Sequence, residues 1–236
     1  MKKLHVLLLF ILGFIMVGTA QNKQIPLEEI WNGEFNTEGM DVLRSMNSGT
    51  EYTILNNVGA TKSSTIDKYS YATLEKLETI VSSADSANIP YFTSYEFSQD
   101  ESKILLATEI EPIFRRSTLG IFYLYDVASK SIINIADTKI QEPTLSPDGV
   151  KVAYMQNNNL FVFNVADKTT AQVTSDGVKN QIINGVTDWV YEEEFGFVRA
   201  FEWNSNGTKI AFIRFDESEV PEFSMDMYGS ELYPSR

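Results

Sequence analysis

A run of three consecutive glutamates flanked by aromatic residues is the stretch of this sequence best suited to chemistry. Residues 188–195 read Asp-Trp-Val-Tyr-Glu-Glu-Glu-Phe. Adjacent carboxylates repel one another, so a cation bound between them would lower their electrostatic cost. The same run is also typical of a solvated surface loop, and Trp189 and Tyr191 would by default belong to a hydrophobic core. The stretch alone leaves a cation-binding site and a solvated loop as alternatives.

The composition excludes several kinds of active site. The chain has no cysteine, which rules out disulfides, thiolate catalysis and cysteine-ligated metals. Its single histidine is His5, so residues 21–236 contain none. A Ser-His-Asp triad needs an imidazole to take the proton of the serine, and zinc sites are built mainly on histidine and cysteine. We therefore expect no catalytic residues, no metal site and no cofactor in residues 21–236.

The N-terminus resembles an export signal. Lysines at positions 2 and 3 precede an apolar run over residues 6–17, and small residues follow up to Ala20. This layout is typical of a secretory signal peptide, and the run is shorter than the about 20 residues that span a bilayer. We expect residues 1–20 to be a signal peptide and the mature chain to be periplasmic or extracellular. A membrane-anchored protein is the alternative.

The mature chain is acidic. The net charge of −13 becomes −15 without Lys2 and Lys3, because residues 1–20 contain no acidic residue. Such a surface repels phosphate backbones, so we expect no nucleic-acid partner.

An internal repeat indicates the fold. Residues 97–106, 145–154 and 203–212 each contain an apolar residue, a polar turn, a lysine and an apolar strand. A second unit, residues 123–130, matches residues 161–168, and a further short strand follows each. This order is typical of four-stranded propeller blades, although a β-sandwich also has short strands and turns. We predict an all-β fold of about three to four antiparallel blades, with Lys103, Lys151 and Lys209 at equivalent positions.

The start of the chain is less regular. Leu27–Trp31 is compatible with a short helical turn, Glu51–Leu55 and residues 67–73 with strands, and residues 74–81 equally with helix or strand.

Several blocks resemble the dipeptidyl peptidase IV family of prolyl oligopeptidase-type serine exopeptidases. The most specific is Gly-Val-Thr-Asp-Trp-Val-Tyr-Glu-Glu-Glu at residues 185–194, which is similar to the glutamate motif of that family. Further resemblances are Trp-Asn-Gly at 31–33, Phe-Arg-Arg-Ser at 114–117 and Glu-Val-Pro at 219–221. The resemblance spans roughly residues 26–236 and implies an eight-bladed propeller followed by an α/β-hydrolase domain. It further implies release of N-terminal Xaa-Pro and Xaa-Ala dipeptides.

The resemblance also implies roles for individual residues. Glu193 and Glu194 would hold the free ammonium group of the substrate, and Arg115 would bind a carbonyl oxygen of its N-terminal portion. A shift of one residue, to Arg116, stays open. We expect these side chains to converge, with the glutamates on a short irregular segment, Trp189 and Tyr191 packed beneath it, and Glu192 in solvent.

The sequence departs from the family pattern because no Gly-x-Ser-x-Gly motif occurs within it. We interpret residues 21–236 as the N-terminal part of the propeller domain, with the α/β-hydrolase domain absent and expected as a partner. Peptide N-termini are the expected substrate, and a homodimer of the full-length enzyme stays open. The alternatives are a non-catalytic exported propeller that binds a ligand and, less favoured, a glycosidase with paired carboxylates.

Overall fold

The computed structural model describes residues 24–37, 39–84 and 89–230. The predicted signal peptide lies outside these residues. The chain divides into two compact units between Asp41 and Val42. The described part of the first unit contains helix α1, Leu27–Trp31, which confirms the helical turn predicted there.

Three four-stranded sheets make up most of the second unit. The first contains β1 (Leu43–Ser45), β2 (Glu51–Val58), β3 (Ser63–Ser70) and β4 (Lys76–Ser82). The second contains β5 (Ser94–Phe97), β6 (Lys103–Pro112), β7 (Thr118–Asp126) and β8 (Ile132–Asn134). The third contains β9 (Gln141–Leu145), β10 (Lys151–Gln156), β11 (Asn159–Asn164) and β12 (Thr170–Gln172). Each sheet is antiparallel with its strands in chain order, which is the arrangement of a propeller blade and confirms the predicted fold class.

The rest of the second unit forms two short ribbons. Strand β13 (Ile182–Asn184) pairs with β16 (Arg214–Asp216), and β14 (Phe201–Trp203) pairs with β15 (Ile210–Phe212). Gly185 joins the ribbons, since its N–H donates to the carbonyl of Ile213 and its carbonyl accepts from the N–H of Ala200, both at 2.9 Å. Helix α2, Trp189–Phe195, lies in the segment that connects β13 to β14.

The hairpin between the first two strands recurs from sheet to sheet, as the repeat predicts. The residues that pair across it are Phe97 with Ile104, Leu145 with Val152 and Trp203 with Ile210. In each hairpin the lysine carbonyl accepts a backbone hydrogen bond from the residue five positions earlier, at 2.8–2.9 Å. The predicted equivalence of Lys103, Lys151 and Lys209 is therefore confirmed.

A fourth copy of this hairpin was not predicted. It joins β1 to β2, where the N–H of Met46 donates to the carbonyl of Glu51 at 3.0 Å and Gly49 has φ +69°. Gly149 and Gly207 occupy the same turn position with φ +69° and +64°. Sequence comparison misses this copy because Met46 replaces the polar turn residue and Glu51 replaces the lysine.

The predicted strands near the start differ from the structure mainly in their bounds. The strand predicted over Glu51–Leu55 lies within β2, and the ambiguous residues 74–81 mostly belong to β4. The strand predicted over residues 67–73 begins earlier and ends at Ser70, where the chain turns.

Successive hairpin turns touch one another. The side chain of Asn47 donates to the carbonyl of Gln99 at 2.7 Å, and Lys151 Nζ donates to the carbonyl of Gly207 at 3.2 Å. Within its own turn, Asp100 accepts from the hydroxyl groups of Ser98 and Ser102, and these bonds lower the pKa of Asp100 to about 2. The first hairpin turn thus contacts the second, and the third contacts the fourth.

The hydrophobic core lies between the sheets rather than within any one of them. One cluster joins the first sheet to the second, one joins the second to the third, and one joins the third to the β13–β16 region. The alternation of strand side chains makes this possible, since Ile104 and Leu106 belong to one cluster while Leu105 belongs to the next. Each blade is therefore stabilised by packing against its neighbour.

Candidate functional site

The glutamate run is helical. Asp188 caps α2 by accepting a hydrogen bond from the N–H of Tyr191 at 2.8 Å, and Gly196 ends the helix in the left-handed conformation at φ +73°. An aspartate cap and a terminal glycine are standard helix boundaries. The prediction of a short irregular segment was therefore wrong.

The helix separates its three glutamates because successive residues are rotated by about 100° around the axis. Glu192 is buried with 1% of its surface exposed. The side chain of Glu193 is 26% exposed, and Glu194 is exposed to solvent. The prediction that Glu192 points into solvent was wrong, and only Glu193 and Glu194 remain accessible to a ligand.

Glu192 contacts the turn between β6 and β7. Its Oε1 accepts hydrogen bonds from the backbone N–H groups of Arg116 at 2.5 Å and Ser117 at 2.9 Å. Burial alone raises the pKa of the Glu192 carboxyl, but the hydrogen bonds from Ser117 and Arg116, together with the Arg116 charge, outweigh it and hold the pKa below its usual range. The carboxylate is therefore ionised and hydrogen-bonded to the turn through Oε1.

The turn that Glu192 holds is the tip of a long hairpin. Strands β6 and β7 are the longest pair of the second sheet, and the N–H of Ile113 donates to the carbonyl of Ser117 at 2.8 Å to close the turn. The tip presents Arg115, whose side chain is 71% exposed. The guanidinium Nη2 of Arg115 lies 3.1 Å from Oε1 of Glu193. Two segments far apart in sequence thus place a cation beside a carboxylate.

The structure distinguishes the two arginines of the tip. Arg115 pairs with Glu193, whereas the Arg116 guanidinium lies beside Gly196, 3.9 Å from the position of a Cβ on that glycine. Arg116 is thus at the carboxyl end of α2, where a cation is favourable. Of the three predicted site residues, Arg115 and Glu193 are in direct contact, and Glu194 is the next residue of the helix.

The aromatic residues of the motif pack differently from the prediction. Trp189 is 56% exposed, so it does not lie beneath the helix. Tyr191 is partly exposed, and its ring contacts Phe195 at 5.2 Å and Phe215 at 4.9 Å between centroids. The ring of Tyr191 and the carboxylate of Glu192 therefore connect the helix to the rest of the unit.

A cavity of about 410 Å³ adjoins the site on the side of the hairpin tip. Ile113, Phe114 and Trp189 supply much of its apolar lining, and Asp188 and Glu217 lie on its wall. Burial raises the pKa of Glu217, as do the charge of Asp188 and a hydrogen bond with it. The cavity thus combines an apolar surface with polar groups that include a pair of acids.

No metal or membrane feature occurs in the part of the chain that the structure describes. Its aspartate and glutamate residues form no cluster of three or more that could hold an ion. Its helices are also too short or too polar to cross a bilayer.

The sequence analysis did not predict the contact of Glu192 with the β6–β7 turn. The spacing of a helix would have shown that three consecutive glutamates cannot share one face, so that one of them must point towards the protein. The capping pair Asp188 and Gly196 was the signal that the segment is helical.

Comparison with known proteins identifies the region. Residues 98–236 match the model of the dipeptidyl peptidase IV (DPP IV) N-terminal region. The chain is similar to dipeptidyl aminopeptidase B of Saccharomyces cerevisiae, with 32% identity over 197 residues that cover 81% of this chain and 23% of the relative. It is also similar to dipeptidyl peptidase 4 of Sus scrofa, with 36% identity over 140 residues, or 58% of this chain and 18% of the relative.

A solved structure extends the similarity to the fold. The crystal structure of Porphyromonas gingivalis dipeptidyl peptidase 4 superposes with a TM-score of 0.80 and 38% sequence identity, over 90% of this chain and 30% of that one. The chain therefore spans less than a third of the length of these relatives. Because the family model matches more than half of its residues, the chain belongs to the dipeptidyl peptidase IV family and contains the N-terminal region of that family.

Proposed function

We propose that this chain is the substrate-docking part of an exported exopeptidase that releases Xaa-Pro and Xaa-Ala dipeptides from peptide N-termini. Glu193 and Glu194 bind the free amine of the substrate, and Arg115 binds a carbonyl oxygen near it. The observation that carries the proposal is the contact of Arg115 with Glu193 at 3.1 Å, on two segments that project from different parts of the propeller.

The charges of the site suit a peptide N-terminus. A free ammonium group has three donors, and two carboxylates accept such donors through short charge-assisted hydrogen bonds. An internal peptide bond has no ammonium group, so the site selects chain ends. Two extended residues span only about 7 Å, so an amine held at a fixed point determines which peptide bond reaches a nucleophile.

The ion pair between Arg115 and Glu193 does not block this role. An exposed ion pair contributes about 0–1 kcal/mol, and Arg115 is 71% exposed. The arriving ammonium group can therefore replace Arg115 at Glu193 at little cost, and the released guanidinium remains close enough to bind the first carbonyl oxygen.

The proposal includes the rest of the enzyme. We assign residues 1–20 to a signal peptide and residues 21–236 to the N-terminal part of the propeller domain. Cleavage requires an α/β-hydrolase domain as a partner, which would supply the serine, aspartate and histidine. The mature protein would act in the periplasm or outside the cell.

Binding of a free-amine peptide tests the proposal directly. We expect Ala-Pro amide to bind the chain at least about tenfold more tightly than its N-acetyl derivative, because acetylation removes the charge that the carboxylates recognise. Isothermal titration calorimetry at pH 7 measures both affinities. Equal affinities for the two peptides would refute the amine site.

The chain by itself should not hydrolyse Ala-Pro p-nitroanilide. Residues 21–236 contain no histidine, so no imidazole is present to activate a serine. The assay follows release of p-nitroaniline by absorbance, with an active dipeptidyl peptidase as the positive control. Sustained turnover by a preparation free of contaminating peptidase would contradict this expectation.

A further inference from the structure

We propose that Glu192 is a positioning residue: it holds the β6–β7 turn against helix α2 and thereby keeps Arg115 beside Glu193. The inference rests on the proposed role of that pair in binding the substrate amine. It assigns the three glutamates of the run to two tasks, since Glu192 organises the site while Glu193 and Glu194 face the ligand.

Both hydrogen bonds that the side chain of Glu192 accepts come from the turn. Its carboxylate is 1% exposed and accepts the N–H groups of two successive residues, Arg116 at 2.5 Å and Ser117 at 2.9 Å. A buried carboxylate that accepts two N–H groups holds the backbone that donates them, because charge-assisted hydrogen bonds are strong and a buried carboxylate is costly to leave without donors. Arg115 immediately precedes these donors, so its backbone is fixed with them.

The ion pair between Arg115 and Glu193 is too weak to fix the position of Arg115 by itself. Arg115 is 71% exposed. An exposed ion pair favours the paired over the unpaired arrangement by at most about fivefold. The buried hydrogen bonds of Glu192 are stronger, because charge-assisted bonds in a desolvated site are worth about tenfold to a hundredfold. The position of Arg115 therefore depends mainly on Glu192, which does not touch the ligand.

Protonation of Glu192 should release the turn. Its folded pKa lies below the ordinary 4.5, so the ionised form is favoured by folding. The stabilising effect is fully present above pH 4.5 and is lost as the pH falls through the lower folded pKa. The contact between the turn and the helix should therefore persist at pH 4.5 and loosen only in more acidic solution.

Amide hydrogen exchange of Glu192→Gln tests the inference without reference to activity. Glutamine keeps the shape but offers one acceptor oxygen and no charge, so we expect the amides of Arg116 and Ser117 to exchange about tenfold faster than in the wild-type chain. Amides of β10 should exchange as before, which shows that the variant is folded. Glu192→Asp keeps the charge and should restore part of the protection.

The affinity for Ala-Pro amide is the second readout. Glu192→Gln should weaken it by about tenfold at pH 7, while affinity for the N-acetyl peptide stays low. Asp67→Asn is the matched control, because Asp67 is also a buried carboxylate and is held by Thr79 and Lys76 in the first sheet. It should lower overall stability yet change neither the exchange of the turn nor the affinity.

The outcomes separate the two proposals. Faster exchange in Glu192→Gln with no preference of the wild-type chain for the free amine would support the positioning role and refute the proposed amine site. Unchanged exchange at Arg116 and Ser117, or an equal change in Asp67→Asn, would overturn the positioning role.

Discussion

Replacing Glu193 by alanine should weaken the binding of Ala-Pro amide by about 30-fold to several thousand-fold, which corresponds to about 2–5 kcal/mol. The variant leaves the ammonium group of the peptide with one carboxylate and at least one donor without a charged partner. It also removes the 3.1 Å contact of Arg115 with Glu193, so the local positive charge of Arg115 is no longer offset by that carboxylate. Titration calorimetry at pH 7 and low ionic strength measures the loss.

A control variant must distinguish the loss of a contact in the site from the loss of overall negative charge. Glu75→Ala removes the same charge from an exposed residue of the first sheet region, and it should leave the affinity unchanged. Glu194→Ala should weaken binding in the same range as Glu193→Ala, because the same carboxylate pair is broken. If Glu193→Ala and Glu75→Ala bind the peptide equally well, Glu193 does not hold the amine.

Phe201→Ala should destabilise the second unit by about 3–5 kcal/mol, because it removes a large buried ring and leaves a cavity. Phe201 is 2% exposed in the cluster between the third sheet and the β13–β16 region, where it packs with Met155 and Ile183. For a unit of this size the loss corresponds to a decrease in Tm of about 6–20 °C. Thermal unfolding followed by circular dichroism measures it.

Phe223→Ala is the matched control for this loss. Phe223 is 83% exposed, so its removal should change stability by no more than about 0.5 kcal/mol. A Tm of Phe201→Ala equal to that of Phe223→Ala would show that the cluster around Phe201 does not stabilise the unit.

The blades could be predicted from the sequence because each is built from contacts close along the chain. The polar turns before Lys103, Lys151 and Lys209 recur at similar spacings in the sequence. In the strand after each turn, side chains alternate between the two faces of the sheet, and this alternation determines how the strand pairs. The turn at Met46 escaped detection because backbone geometry, and not side-chain type, defines it. Gly49 keeps the left-handed conformation while its neighbours differ from the other copies.

The candidate site was predicted only in part. The motif indicates which acids could meet a cation, and Arg115 does contact Glu193. The hydrogen-bond partners of Glu192 could not be predicted, because they are backbone N–H groups 75 and 76 residues earlier in the chain. Backbone donors are present at every residue except proline, so they leave no pattern in the sequence.

The bond between Glu192 and the β6–β7 turn also has a consequence for the order of events during synthesis. Most contacts of the propeller join strands that leave the ribosome one after another. The hydrogen bond from Arg116 to Glu192, however, cannot form until a carboxylate 76 residues downstream has been synthesised. At about 5–20 residues per second, the turn spends about 4–15 s without its acceptor. The arginine-bearing turn therefore lacks its hydrogen bonds to Glu192 while the second and third blades are synthesised, and it gains them only after α2 emerges.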